Sequence, residues 1–125
     1  MIELQLFTAA YKNFQPMYGV PVQISNGRPK FGIKYPLRYK AQLLYPEWSM
    51  VKADVSMDVF NERYHQVLDH RGVDNIRDQL TAIAEHAGDP RLVLMCFEWQ
   101  AKDCHRKGFA DWWEKATGEH VPEVP

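Results

Sequence analysis

An alternation of apolar and polar positions opens the chain. Ile2, Leu4 and Leu6 are separated by polar residues, which predicts a strand over residues 2–10. Residues 20–25 predict a second short strand, because the turn signal Asn26-Gly27 follows them directly.

Residues 28–55 show no regular hydrophobic period. Pro36 and Pro46 exclude one continuous helix through this stretch. We therefore expect a long irregular connection after the second strand, containing only short pieces of secondary structure. Connections of this length in a compact domain are often functional or mobile. Its aromatic residues are Phe31, Tyr35, Tyr39, Tyr45 and Trp48.

Helical spacing dominates the second half. Apolar residues recur on one face over residues 57–70 and again over 74–87, with Gly72 and Gly88 at the expected helix ends. The continuous apolar run at 92–97 predicts a central strand, buried by helices on both faces of a sheet. A third helix is predicted over 103–117, ending at Gly118, and a final edge strand at 120–121.

This order of elements predicts the α/β class. We expect residues 1–125 to form a single small domain, a mostly parallel sheet flanked by helices with the irregular segment inserted after the second strand. The composition, 46% hydrophobic and 25% charged, is that of a globular protein and excludes a disordered tail. No apolar run approaches the ~18–20 residues of a membrane span, so no membrane partner is expected.

The two cysteines bear on the cellular compartment. The N-terminal residues lack a secretory pattern, so we expect a cytoplasmic protein with reduced thiols. Cys96 is then expected in the core, and a disulfide between Cys96 and Cys104 is not expected.

Charge is distributed unevenly along the chain. Residues 1–55 carry seven Lys or Arg against three Asp or Glu, whereas residues 56–125 carry eight against thirteen. The basic excess is densest over residues 28–52 and is typical of an anion-binding face. This basic, aromatic stretch could stack bases and neutralise phosphates, or form a folded flap with solvated charges.

The corner between the central strand and the third helix carries the candidate chemistry. Glu98 ends the strand, and Cys104, His105 and Arg106 fall in the first turn of the helix. Ligands of open α/β sheets bind beyond the carboxyl ends of the strands. The helix N-terminus favours an anion, and Arg106 adds a fork for phosphate or carboxylate.

Three residues of this corner are candidate catalytic groups. Cys104 can act as a nucleophile because the helix N-terminus and nearby cations lower a thiol pKa. His105 can act as general acid or base, and Glu98 can orient His105, pair with Arg106 or carry a proton. The alternatives are that Cys104 packs as a small apolar group and that the charged residues only support the fold.

Other ligands are weaker candidates. Cys104, His105 and Glu98 could bind a metal, but the ligand pairs lack zinc spacing, so neither a metal nor another cofactor is expected. Thr8, near the end of the first strand, and Tyr11, just after it, reach the same rim as ligand-binding residues if that strand lies parallel to the central one and beside it. They could equally be turn residues.

Several of these pieces resemble one family. The segment Leu92 to Glu98, the triplet Cys104-His105-Arg106 and the run Phe109 to Trp113 resemble the C-terminal signature of the domain of unknown function 488 (DUF 488-like) family. The similarity is specific over residues 91–119, and residues 30–55 depart from it most. The resemblance implies a compact α/β fold and a site around Glu98 and the triplet, and it leaves the reaction open.

The sequence therefore favours a protein that binds a phosphate-bearing ligand, a nucleotide or nucleic-acid component, with or without turnover. The alternative is a non-catalytic nucleic-acid-binding or regulatory module that uses residues 28–52.

Overall fold

A computed structural model describes residues 3–29, 32–97 and 104–125, and these form an α/β domain. The strands are β1 (Gln5–Ala10), β2 (Val20–Gln23), β3 (Tyr39–Lys40) and β4 (Arg91–Cys96), and the helices are α1 (Trp48–Val51), α2 (Met57–Arg71), α3 (Val73–Ala87) and α4 (His105–Thr117). Two single-turn 3₁₀ helices lie at Pro16–Tyr18 and Gln42–Leu44. Within its described residues, the predicted irregular segment thus contains β3, one 3₁₀ turn and the short helix α1.

The four strands form one sheet in the order β1-β4-β2-β3, and every pair is parallel. This confirms the α/β class and the central position of the apolar run. β1 lies beside β4 over its whole length, from Gln5 opposite Arg91 to Ala10 opposite Cys96. Because parallel strands end at the same edge, Ala10, Gln23 and Cys96 bring their following residues to one side of the domain.

Both faces of β4 are buried, as its composition predicts, but only one is covered by helices. Leu92 and Leu94 pack into the main core with apolar residues of α2, α3 and α4. Val93 and Met95 face the opposite way, into a smaller core. Among the described residues that smaller core takes its covering side chains from connections and the chain end, with none from α2, α3 or α4: Tyr11, Phe14, Leu37 and Val124.

The end of the chain departs from the prediction. The expected edge strand at His120–Val121 is wrong, because those residues make no strand pairing. Pairing occurs further on, as an isolated parallel bridge between Thr8 and Glu123. It is held by hydrogen bonds from the Thr8 N–H to the Pro122 carbonyl and from the Val124 N–H to the Thr8 carbonyl. The chain end therefore covers the open edge of β1, which would otherwise expose unpaired backbone groups.

The helix ends follow local rules. Ser56 caps α2 by accepting a hydrogen bond from the Val59 N–H. Gly72, at φ 91°, ends α2 and starts α3 directly, so α3 begins one residue before the predicted position. Within the described part of the chain, no helix has the length and hydropathy needed to cross a bilayer.

Candidate functional site

A cavity of about 470 Å³ lies at the carboxyl edge of the sheet. The residues after β2, the end of β4, the start of α4 and the segment from Pro46 to Phe60 all contribute to its walls. Open parallel α/β sheets bind ligands at this place, beyond the carboxyl ends of their strands.

Aromatic side chains form one wall of this cavity. Trp48 and Phe97 both line it and remain 58% and 41% exposed, although apolar side chains of that size are normally covered. Phe60, from the first turn of α2, adds a third ring. These three rings offer apolar surface to a flat ligand.

A polar part of the cavity lining follows β2. Ser25, Asn26 and Gly27 line the cavity. The Ser25 hydroxyl is 2.7 Å from the Tyr11 hydroxyl and donates to the Gly27 carbonyl at 2.7 Å, so this turn is fixed by hydrogen bonds. The side-chain oxygen Oδ1 of Asn26 is buried and accepts no hydrogen bond from any described residue. Such an acceptor is costly unless a ligand or water donates to it.

The two cysteines lie in the floor of the cavity and are joined by a disulfide, with their Cα atoms 6.9 Å apart. The expectation that Cys96 and Cys104 remain unbonded is therefore wrong. The two sulfurs meet because β4 ends at Cys96 and α4 is capped by Cys104, which places them at the same corner. Cys104 can act as a nucleophile only after this bond is reduced, since the thiolate is the reactive form.

His105 is buried beside the disulfide. Its Nε2 donates to the Ile24 carbonyl oxygen at 2.7 Å, and its Nδ1 is 3.8 Å from the Cys104 sulfur. Because a carbonyl can only accept, the ring proton is on Nε2 and the lone pair on Nδ1 faces the sulfur. Burial, together with the smaller effect of the neighbouring Arg106 charge, lowers the pKa of His105 from 6.5 to about 4. At neutral pH the ring is thus a proton acceptor, and it does not supply the general acid that the sequence also allowed.

Arg106 lies away from the cavity lining. It is fully buried, and its Nε and Nη2 donate to the Glu123 carboxylate at 3.0 and 2.8 Å. Its Nη1 donates to the Cys96 sulfur at 3.4 Å. The predicted role of Arg106 as a fork for a ligand phosphate receives no support from this geometry, because a carboxylate of the protein already occupies that fork.

The remaining predicted site residues separate into two environments. Tyr11 contacts the cavity walls through Ser25 and through Phe97, whose ring centre is 5.0 Å away in an edge arrangement. Burial raises the pKa of Tyr11, which keeps its hydroxyl neutral. Thr8 instead donates to Glu123 at 2.6 Å and belongs to the Arg106 cluster. Glu98 lies outside the described residues.

Sequence reasoning did not assign most residues of the cavity lining to the site, among them Ser25, Asn26, Phe60, Cys96 and Phe97. Cys96 and Phe97 belong to the apolar run at residues 92–97, which predicts buried core positions. Their position at the carboxyl end of the central strand was a usable signal, because ligand sites of parallel sheets lie there. Trp48 belongs to the aromatic stretch that could stack bases, but its place in this cavity depends on how the irregular segment folds back.

Another cavity, of about 510 Å³, lies against α2 and contains Arg63, His70 and Arg71 in its lining. Arg71 is already engaged there, because its Nη1 donates to the Leu43 and Tyr45 carbonyls at 2.8 and 2.6 Å. Its guanidinium holds the irregular segment against α2, so Arg71 has a structural role in the wall of this second cavity.

Comparison with protein families identifies the chain. Residues 38–113 match the family described as Domain of unknown function DUF488, which is more than half of the chain. No curated protein and no solved structure matches it. The chain belongs to the DUF488 family.

Proposed function

We propose that this DUF488 protein binds a phosphate-bearing nucleoside ligand, a nucleotide or nucleic-acid component, in the cavity at the carboxyl edge of the sheet. The observation that carries this proposal is the combination of exposed aromatic rings with the hydrogen-bonded polar turn at Ser25, Asn26 and Gly27 in the lining of one cavity. A nucleobase combines a flat apolar face with edge N–H donors, and those two features complement the aromatic and the polar parts of the lining.

The base is expected to lie against Trp48 and Phe97. Stacking of a base on an aromatic side chain contributes about 1–3 kcal/mol and tolerates any base. The N–H groups at the edge of the base then face the polar turn at Ser25, Asn26 and Gly27, which lines the same cavity.

The phosphate is expected near the start of α4. Cys104 and His105 line the cavity, and Cys104 makes no side-chain hydrogen bond as N-cap. The positive end of the helix dipole therefore favours an anion at this edge of the cavity. Arg28, which follows Gly27, and Lys52, whose Nζ is 6.0 Å from the Trp48 ring centre, are exposed cations beside it.

The proposal is tested by calorimetric titration of the protein with a nucleoside monophosphate, the matching nucleoside and inorganic phosphate. The monophosphate should bind more tightly than either part, and Trp48→Ala should weaken it about 5- to 150-fold, from the free energy of one stacked base. Met17→Ala is the matched control, because Met17 is 71% exposed and lies outside the cavity lining. Equal affinities in Trp48→Ala and Met17→Ala, or no nucleotide binding by the wild type, would refute it.

A second candidate function is nucleic-acid binding without catalysis. Its support is that the cations described within residues 28–52 all have exposed side chains: Arg28, Lys34, Arg38, Lys40 and Lys52. Phosphate contacts from these cations would make oligonucleotide affinity fall steeply with salt, whereas a mononucleotide in the cavity depends on salt weakly. An oligonucleotide that binds no more tightly than its mononucleotide excludes this second function.

Cytoplasmic location remains part of the proposal. It is tested by alkylation of free thiols in cells, before and after reduction. Reduced cysteines would support this location, and fully oxidised cysteines would count against it.

A further inference from the structure

Three potential metal ligands converge at the floor of the cavity. The sulfurs of Cys96 and Cys104 and a ring nitrogen of His105 all lie within 4.8 Å of one another, and all three residues are buried. They come from the end of β4 and the start of α4, so the fixed edge of the sheet holds them together. The sequence analysis did not predict this group of ligands, because their spacing along the chain is not that of paired zinc ligands.

The distance between the Cys104 sulfur and His105 Nδ1 suits a tetrahedral ion. Two ligand atoms about 2.3 and 2.1 Å from Zn²⁺ are about 3.6 Å apart when the angle between them is tetrahedral. The Cys104 sulfur and His105 Nδ1 are 3.8 Å apart. His105 and the helix start therefore need no large movement to share an ion.

The surroundings orient the same atoms. The Nε2–H of His105 donates to the Ile24 carbonyl at 2.7 Å, which leaves the Nδ1 lone pair on the side of the sulfurs. Metal-binding histidines typically donate their second N–H to a carbonyl or carboxylate in this way. Arg106 Nη1 donates to the Cys96 sulfur at 3.4 Å, and a positive charge there favours the thiolate.

We propose that the reduced protein binds one Zn²⁺ ion through Cys96, Cys104 and His105. A dithiol reductant supplies two electrons to the Cys96–Cys104 disulfide and itself becomes a disulfide, leaving two protein thiols. Zinc binding then displaces one proton from each thiol and changes no oxidation state. Two thiolates and an imidazole suit zinc in preference to the hard cations Mg²⁺ and Ca²⁺.

The fourth position of this ion opens onto the cavity, since all three ligands line it. Zinc sites with three protein ligands and one open position are catalytic in type, whereas structural sites use four protein ligands. The inference goes beyond nucleotide binding and does not depend on it. It assigns the cavity an electrophilic centre that a bound water or a ligand oxygen can reach.

The test uses one chain in two redox states. Wild-type protein is reduced with a phosphine, freed of metal by a chelator and titrated with Co²⁺ and then Zn²⁺. We expect the visible bands of tetrahedral cobalt with sulfur charge-transfer absorption, and then one zinc per chain by elemental analysis. The oxidised protein is folded, but the disulfide occupies both sulfurs. It should therefore give neither the cobalt bands nor bound zinc.

Variants assign the ligands. Cys104→Ser and His105→Gln should each weaken zinc by more than the roughly 10–100-fold that loss of an outer-shell partner costs. His65→Gln is the matched control, because His65 also hydrogen-bonds a backbone carbonyl, that of Gly108 at 2.7 Å, and lies outside the ligand group. Circular dichroism checks that each variant is folded.

Zinc bound equally by reduced and oxidised wild type would overturn the proposal whatever the variants do. So would a reduced wild type that gives no cobalt spectrum. Nucleotide affinity is measured separately on oxidised protein, so failure of the zinc site and failure of the nucleotide site remain distinguishable.

Discussion

Acidification should destabilise the oxidised protein through His105. Burial lowers the folded-state pKa of His105 to about 4, against 6.5 for the exposed group. Between those values the unfolded chain binds more protons than the folded one, so stability rises with pH across this window and is lost as pH falls through it. Above about pH 7 both states are neutral and the contribution is fully present.

The size of the effect follows from the two pKa values. A pKa difference of about 2.5, at about 1.4 kcal/mol for each pKa unit, sets a limit of about 3 kcal/mol, reached below pH 4. At pH 5 the unfolded histidine is almost fully protonated and the folded one is still mostly neutral. The expected loss between pH 7.5 and pH 5 is then about 2 kcal/mol.

The assay is urea unfolding of wild type and His105→Gln at both pH values, under oxidising conditions that keep the disulfide intact. Glutamine keeps an N–H that can donate to the Ile24 carbonyl, and it does not titrate. Wild type should lose about 2 kcal/mol more than the variant on acidification. Equal losses of unfolding free energy in the two proteins would refute the inference that the His105 imidazole is buried and neutral.

Two further substitutions test how the site is supported. Gly19→Ala places a methyl group 2.5 Å from a backbone carbonyl oxygen of β4 at φ 136°, so it should cost about 2 kcal/mol or more in urea unfolding. Gly32→Ala, where no atom lies within 4 Å, should cost less than about 1 kcal/mol, and equal losses would contradict the close approach. Glu123→Gln removes the carboxylate that holds buried Arg106, and because that carboxylate is 31% exposed we expect about 2–3 kcal/mol, below the 3–5 kcal/mol of a fully buried pair. Asp111→Asn, which breaks an exposed ion pair, is the control and should change the unfolding free energy by less than about 1 kcal/mol. A loss for Glu123→Gln no larger than that would refute the structural role of the Arg106–Glu123 pair.

Local pattern was enough for most of the elements. The alternation at β1, the apolar run of β4 and the spacing of α2 and α3 each reflect one face of one element, so they are readable without knowing the partner. A mostly parallel sheet was expected from the order of elements. In the structure only the connection from β3 to β4 contains α-helices, and β1 and β2 are joined through a single 3₁₀ turn. The identity of the covering layer did not follow, since Val93 and Met95 are equally well buried by a helix or by a connection.

The sequence by itself determined the α/β class and the corner where strand β4 meets helix α4. Only the tertiary structure decided what that corner holds. Cys96 is bonded to Cys104, Arg106 is paired with Glu123, and Trp48 faces the cavity. Each of these outcomes depends on contacts between distant segments, and a buried charge or sulfur is satisfied by whichever partner the folded chain brings to it.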